Sequence, residues 1–104
     1  MSYDEFWLVY LRAHGRKLTR ALHYIGTLLA LGAVAAALLV NVWIALAAPV
    51  IGYGFAWTAH FWVEKNRPAT FGHPLWSLYS DFRMLALFLS GRLGPHLARA
   101  GVRS

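Results

Sequence analysis

Between Arg20 and Glu64 the chain runs for 43 residues without an Asp, Glu, Lys or Arg. A bilayer core about 30 Å thick is crossed by about 20 helical residues, and the whole run in one helix would extend to roughly 65 Å. It must therefore fold back once. Backbone groups surrounded by lipid have to be hydrogen-bonded within their own segment. The run thus reads as two antiparallel spanning helices, about 20–40 and about 43–64, with the turn somewhere from Asn41 to Pro49. Composition agrees, since 59% of residues are apolar and 13% charged, where a soluble domain carries about a quarter charged residues. The run is too long and starts too late for a cleavable signal peptide.

The charges flank the run. Arg12, Arg16, Lys17 and Arg20 precede it, Lys65 and Arg67 follow it, and the turn region carries none. Because cationic segments stay on the cytoplasmic side, both ends of the hairpin are expected there. The third apolar stretch, Leu75 to Leu89, holds Asp81 and Arg83 and is followed by Arg92, Arg99 and Arg103. It reads as an interfacial helix or, less favourably, a short spanning one. Orientation and contact with anionic lipid account for the net charge of +6. With neither an RNA-binding module motif nor a zinc-finger spacing, nucleic acid is not an expected partner. The expected fold is all-α: one membrane domain over 1–104, with an interfacial helix about 3–13, the two-span hairpin, a loop 65–74, a helix about 75–90 and a poorly ordered basic tail 91–104.

Local signals refine this outline. Ser2 and Glu5 match a capping box, and Gly15 can end the first helix. Tyr3, Trp7, Tyr10 and His14 recur at helical spacing as an aromatic stripe suited to the headgroup level. Gly26, Ala30, Ala33 and Ala37 give span 1 a small-residue face on which another helix can approach closely. On span 2, Gly52, Ala56, His60 and Glu64 share one stripe.

His23 opens span 1 and His60 nears the end of span 2. A turn at Asn41–Val42 would set them at one depth, whereas a turn near Pro49 would stagger them. Glu64 lies one helical turn beyond His60, the spacing at which imidazole and carboxylate can share a metal ion. His14 would fall opposite His23 on a continuous helix, but a break at Gly15 would return it toward His23. Ionisable side chains at membrane depth are costly and mark functional sites, so His14, His23, His60 and Glu64 are the candidate metal ligands. Without cysteine, the donor set suits Fe(II), Zn or Mn, and open positions beside such ligands are typical of non-haem iron oxygen chemistry. Zinc stays open, as does haem held by His23 and His60. His73 and Asp81 are secondary candidates, and Arg67 and Arg83 could hold a lipid carboxylate or phosphate. His96 is given no role. The other standing reading is a structural or lipid-binding protein whose histidines satisfy one another. A site enclosed by so few helices would be thin-walled, which makes a homodimer plausible.

His14 and His23 separated by eight residues, then Gly26, then Gly52-Tyr53-Gly54-Phe55-Ala56-Trp57 leading into His60-Phe61-Trp62-Val63-Glu64 and Pro68-Ala69, resemble a known pattern. It is that of the small membrane-protein family related to the 2-hydroxy fatty acid dioxygenase of the fungal endoplasmic reticulum. The likeness covers about residues 5 to 90. It is greatest to a short bacterial branch marked by Glu64-Lys65-Asn66-Arg67-Pro68-Ala69-Thr70-Phe71 and by Pro74-Leu75-Trp76-Ser77-Leu78 with Asp81-Phe82. It implies an Fe(II)-dependent, O2-consuming step of fatty-acid α-oxidation that shortens a 2-hydroxy acyl chain by one carbon. His14, His23 and His60 would hold the iron, with Glu64 at the family's acidic position. In that reading Tyr53 and Trp57 shape an acyl groove, and Arg67, His73 and Asp81 are the other substrate-binding candidates. The partners are a membrane lipid or fatty acyl substrate and O2, and the location is the bacterial inner membrane. The characterised branch is longer and carries asparagines between its first two histidines, where this chain has Arg16, Lys17 and Arg20.

Overall fold

The structure, a computed structural model, describes residues 1–68 and 72–103. Ala69-Thr70-Phe71 of the expected loop, and Ser104, lie outside the described residues. Helix α1 (Tyr3–Ala13) starts where Ser2 Oγ accepts the Glu5 amide at 3.2 Å. The chain breaks at His14 and Gly15 and resumes as α2 (Lys17–Leu39). It turns at Val40 and Asn41, where Asn41 Oδ1 accepts the Trp43 amide at 3.0 Å and opens a 3₁₀ segment, Val42–Leu46. That segment runs into α3 (Ala47–Thr58), with Pro49 in its first turn, and then into a π-helical turn, Ala59–Glu64. Helix α4 (Pro74–Leu89) has proline at its first position, where a missing amide hydrogen is tolerated. Helix α5 (Leu93–Arg99) follows Gly91, whose φ of 73° suits a residue without a Cβ. The described residues are all helix and connection, with no strand.

The two long arms run antiparallel and close together. A Cβ built on Gly26 would lie 2.7 Å from Phe55 Cβ, and one on Gly52 would lie 3.7 Å from Ala30 Cβ. Glycine and alanine are what permit this approach. Lys17–Leu39 and Val42–Glu64 are each long and apolar enough to cross a membrane, and only 17% and 11% of their most apolar windows are buried within the chain. A helix from a soluble core would be mostly buried. Leu38, Leu39, Val40, Val42 and Trp43 instead present bare apolar surface, which calls for an apolar surrounding.

At the opposite end the chain builds a core of its own. Phe6, Trp7, Tyr10 and Leu11 of α1 pack with Tyr24 of α2, Met84 and Leu85 of α4, and Leu93 and Leu97 of α5, each full burial of such a side chain contributing about 1.5–3 kcal/mol. This corrects two expectations. The aromatic stripe is not a headgroup belt, because α4 and α5 fold over α1 and bury Trp7 and Tyr10. Nor is the C-terminal segment a loose tail: Leu93, Leu97 and Ala100 enter the core, and Arg12 Nε donates to the Ala100 carbonyl at 3.1 Å.

Candidate metal centre

The break at Gly15 folds α1 back across the start of α2, and the tight pairing at Gly26 and Phe55 brings the end of the π turn alongside. Three imidazoles meet there, all buried. Among the described residues, His14, His23 and His60 form the group whose ligand atoms are close enough to share one ion. His14 Nε2 lies 3.1 Å from His23 Nε2, which lies 3.2 Å from His60 Nε2.

Their outer nitrogens decide the chemistry. His14 Nδ1 is 2.6 Å from the Tyr10 carbonyl oxygen, which can only accept, so Nδ1 carries the hydrogen. His60 Nδ1 is 2.7 Å from Asn66 Oδ1. The Asn66 amide cannot be turned around, because its Nδ2 donates to the Ala13 carbonyl at 2.9 Å, so His60 Nδ1 is a donor too. His23 Nδ1 faces Asp81 Oδ1 at 3.6 Å. A neutral imidazole with a hydrogen on Nδ1 has a bare lone pair on Nε2. Bare lone pairs on His14 and His60 therefore face His23 Nε2, which either offers them a single proton or joins them in holding a cation. Burial, together with the neighbouring His23 and His60 rings, holds the pKa of His14 well below its ordinary value, which favours the neutral ligand form.

The spacing fits an ion. Ligand nitrogens about 2.1 Å from a metal, in right-angled to tetrahedral arrangements, stand roughly 3.0–3.4 Å apart, and 3.1 and 3.2 Å fall in that range. A haem does not fit as expected from the sequence, because Nε2 atoms of His23 and His60 3.2 Å apart leave no slot for a porphyrin between them.

Glu64 is engaged differently. Its Oε1 accepts the Gly15 amide at 2.8 Å, closing the α1–α2 junction, and its Oε2 makes no hydrogen bond and lies 3.7 Å from Arg16 Nε. Buried Arg20 completes the junction, its Nη1 donating to the His14 and Gly15 carbonyls at 2.8 and 3.1 Å.

From His23 and Asp81 an apolar groove of about 280 Å³ runs between α2, α3 and α4, lined farther along by Thr27, Ala30, Val34, Gly52 and Tyr53. Trp57 adjoins it through Tyr53, their rings tilted at 5.9 Å. Arg67 and His73 stand elsewhere: they line a separate cavity with Phe6 and Val9, and the His73 ring stacks on Trp76 at 4.8 Å.

The residue that sequence reasoning missed is Asn66. Lys65 adopts φ 59°, and Asn66 N donates back to the His60 carbonyl at 2.8 Å, a reversal that returns the Asn66 side chain to His60. A polar residue in a proline-containing loop carries no spacing signal for this. Partners that orient a ligating histidine are typically worth about 10–100-fold in metal affinity. Asn66→Ala is expected to weaken metal binding by about that much, read by titrating the metal-free protein with a divalent cation.

A family model described as 2-hydroxy-palmitic acid dioxygenase Mpo1-like matches residues 1–93. Comparison with curated proteins and with solved structures gave no match.

Proposed function

Since the chain belongs to the 2-hydroxy-palmitic acid dioxygenase Mpo1-like family, we propose that it is a membrane-embedded, Fe(II)-dependent oxygenase acting on a 2-hydroxy fatty acid, with loss of one carbon. The observation that carries this reading is a group of three buried imidazoles close enough to share one ion, two of them braced at Nδ1 so that Nε2 faces the others. His14, His23 and His60 are the ligands. Glu64, expected as a fourth ligand, stands outside the group of side chains close enough to share one ion; its carboxylate closes the α1–α2 junction on the Gly15 amide, beside Arg16. Iron bound there would supply the redox chemistry that joins O2 to the substrate and a Lewis-acid site for its hydroxyl and carboxylate.

The protein's own groups would do the rest. Asp81 lies at the head of the groove beside His23. Its carboxylate can accept a hydrogen bond from a 2-hydroxyl and repels the adjacent acid group, which turns the acid toward the histidines. The acyl carbons would lie along Ala30, Val34 and Gly52, where the walls are apolar and exclude water. With α2 and α3 crossing the bilayer and both chain ends cytoplasmic, that groove is within reach of lipid.

The test is purified protein reconstituted with Fe(II) and given 2-hydroxypalmitate and O2. About one iron per chain and an acid product one carbon shorter are expected, with no product from unhydroxylated palmitate. Val34→Trp, which fills the groove away from the histidines and from the glycine–alanine seam, should keep its iron and lose at least about tenfold in turnover, roughly 1.4 kcal/mol of barrier. Iron well below one per chain would overturn the metal assignment. Full activity in Val34→Trp would overturn the groove.

A further inference from the structure

Tyr10 and Trp7 form a file leading away from the histidines. The Tyr10 ring stacks on His14 with centroids 4.1 Å apart, and Trp7 stacks on Tyr10 at 5.7 Å and 13°. Both are buried. Each gives its one side-chain proton to a base: the Tyr10 hydroxyl donates to Asp81 Oδ1, and Trp7 Nε1 donates to His96 Nδ1 at 3.0 Å. Indole nitrogen can only donate, so His96 Nδ1 is the acceptor. Burial, with Arg99 and Arg83 nearby, lowers the pKa of His96 and keeps its ring neutral. The Arg83 guanidinium sits 4.3 Å above the Trp7 ring, which favours the electron-rich ring and penalises a positively charged one. Core packing needs apolar rings, and Phe6 beside them supplies one. A buried hydroxyl or indole N–H takes an acceptor in any fold; what marks this pair is that each acceptor, Asp81 or His96, is a base that can keep the proton.

We propose that Tyr10 and Trp7 are a one-electron relay that drains oxidising equivalents from a metal held by His14, His23 and His60 toward the surface. The proposal rests on the metal reading above. When the ion is left over-oxidised without substrate, it takes one electron from Tyr10 and is reduced by one unit. The phenolic proton moves to Asp81, leaving a neutral tyrosyl radical. Trp7 then passes one electron to that radical. The proton returns from Asp81 to the Tyr10 oxygen, and the indole proton moves to His96 Nδ1. Because Arg83 opposes a radical cation, the His96 acceptor is what makes the Trp7 step accessible. A soluble one-electron donor of the ascorbate or quinol class restores Trp7, which recovers its proton from His96.

The test uses the full chain loaded with Fe(II), its iron content measured first, then pulsed with hydrogen peroxide in the absence of fatty acid. Radicals are read by freeze-quench electron paramagnetic resonance, and oxidised side chains are mapped by peptide mass spectrometry. A tyrosyl signal that narrows with ring-deuterated tyrosine is expected, together with oxidised Trp7. Tyr10→Phe should lose the signal and most of the Trp7 oxidation while keeping its iron. Trp7→Phe leaves Tyr10 and its bond to Asp81 in place, and should lengthen the life of the signal. A signal unchanged in Tyr10→Phe, or oxidation of iron-loaded protein confined to the histidines and the groove, overturns the relay. Absence of iron overturns the metal reading instead, and the relay with it.

Discussion

Replacing His23 by alanine is expected to leave the protein with almost no bound iron and to remove the rise in melting temperature that iron gives the wild type. His23 is the middle ligand, its Nε2 within 3.2 Å of both other Nε2 atoms, so its loss leaves two imidazoles with nothing between them. An ion that binds the folded chain alone stabilises it by about 4 kcal/mol at a free concentration about a thousandfold above its dissociation constant. That whole increment should vanish in the variant. Without metal the difference should shrink. His23→Leu removes the middle ring but fills much of its space with carbon, so it should melt closer to the metal-free wild type than to the iron-loaded one. Melting curves of both proteins with and without Fe(II), beside iron analysis, check this. Equal melting temperatures for wild type with and without iron would remove the metal from the account.

The hairpin was legible because a charge-free run has to be buried in something, and its length allows one reversal. The match of His23 with His60 depended on where the chain turns, and Asn41 supplied the turn by capping the Trp43 amide. His14 could be brought in only through Gly15, whose role is visible in sequence because glycine interrupts a helix. What braces the rings was not legible. One acceptor is a backbone carbonyl, that of Tyr10, which has no sequence signature. Another, Asn66, depends on Lys65 taking a left-handed backbone that sequence does not announce. Helix α5 was hidden for a different reason. Its basic residues suggested a solvated tail, and only Leu93 and Leu97, one turn apart, marked a buried face. Arg67 was expected to hold a lipid carboxylate or phosphate and His73 to be a secondary candidate, but both line a different cavity from the groove, a separation that no spacing signal shows.

Gly26→Ala should destabilise the protein and weaken iron binding, although helix propensity alone predicts the opposite. Alanine is favoured over glycine inside a helix by about 1 kcal/mol. At Gly26, however, the added Cβ would stand 2.7 Å from Phe55 Cβ. Both atoms are fixed to their backbones, so no rotamer relieves the clash, and carbon atoms prefer separations of about 3.5–4.0 Å. The two helices must part by about 1 Å, and overpacking of this kind costs about 1–3 kcal/mol, enough to outweigh the propensity gain. The displacement also reaches the ligands, because His23 lies one turn from Gly26 on α2 and His60 follows Phe55 on the facing arm. Iron affinity should fall at least about tenfold, roughly 1.4 kcal/mol. Gly32→Ala is the matched control, since a Cβ there meets nothing within 4 Å. It should hold iron as the wild type does and melt no lower. If the two alanine variants behave alike, the close approach of α2 and α3 is not what sets the distance between His23 and His60.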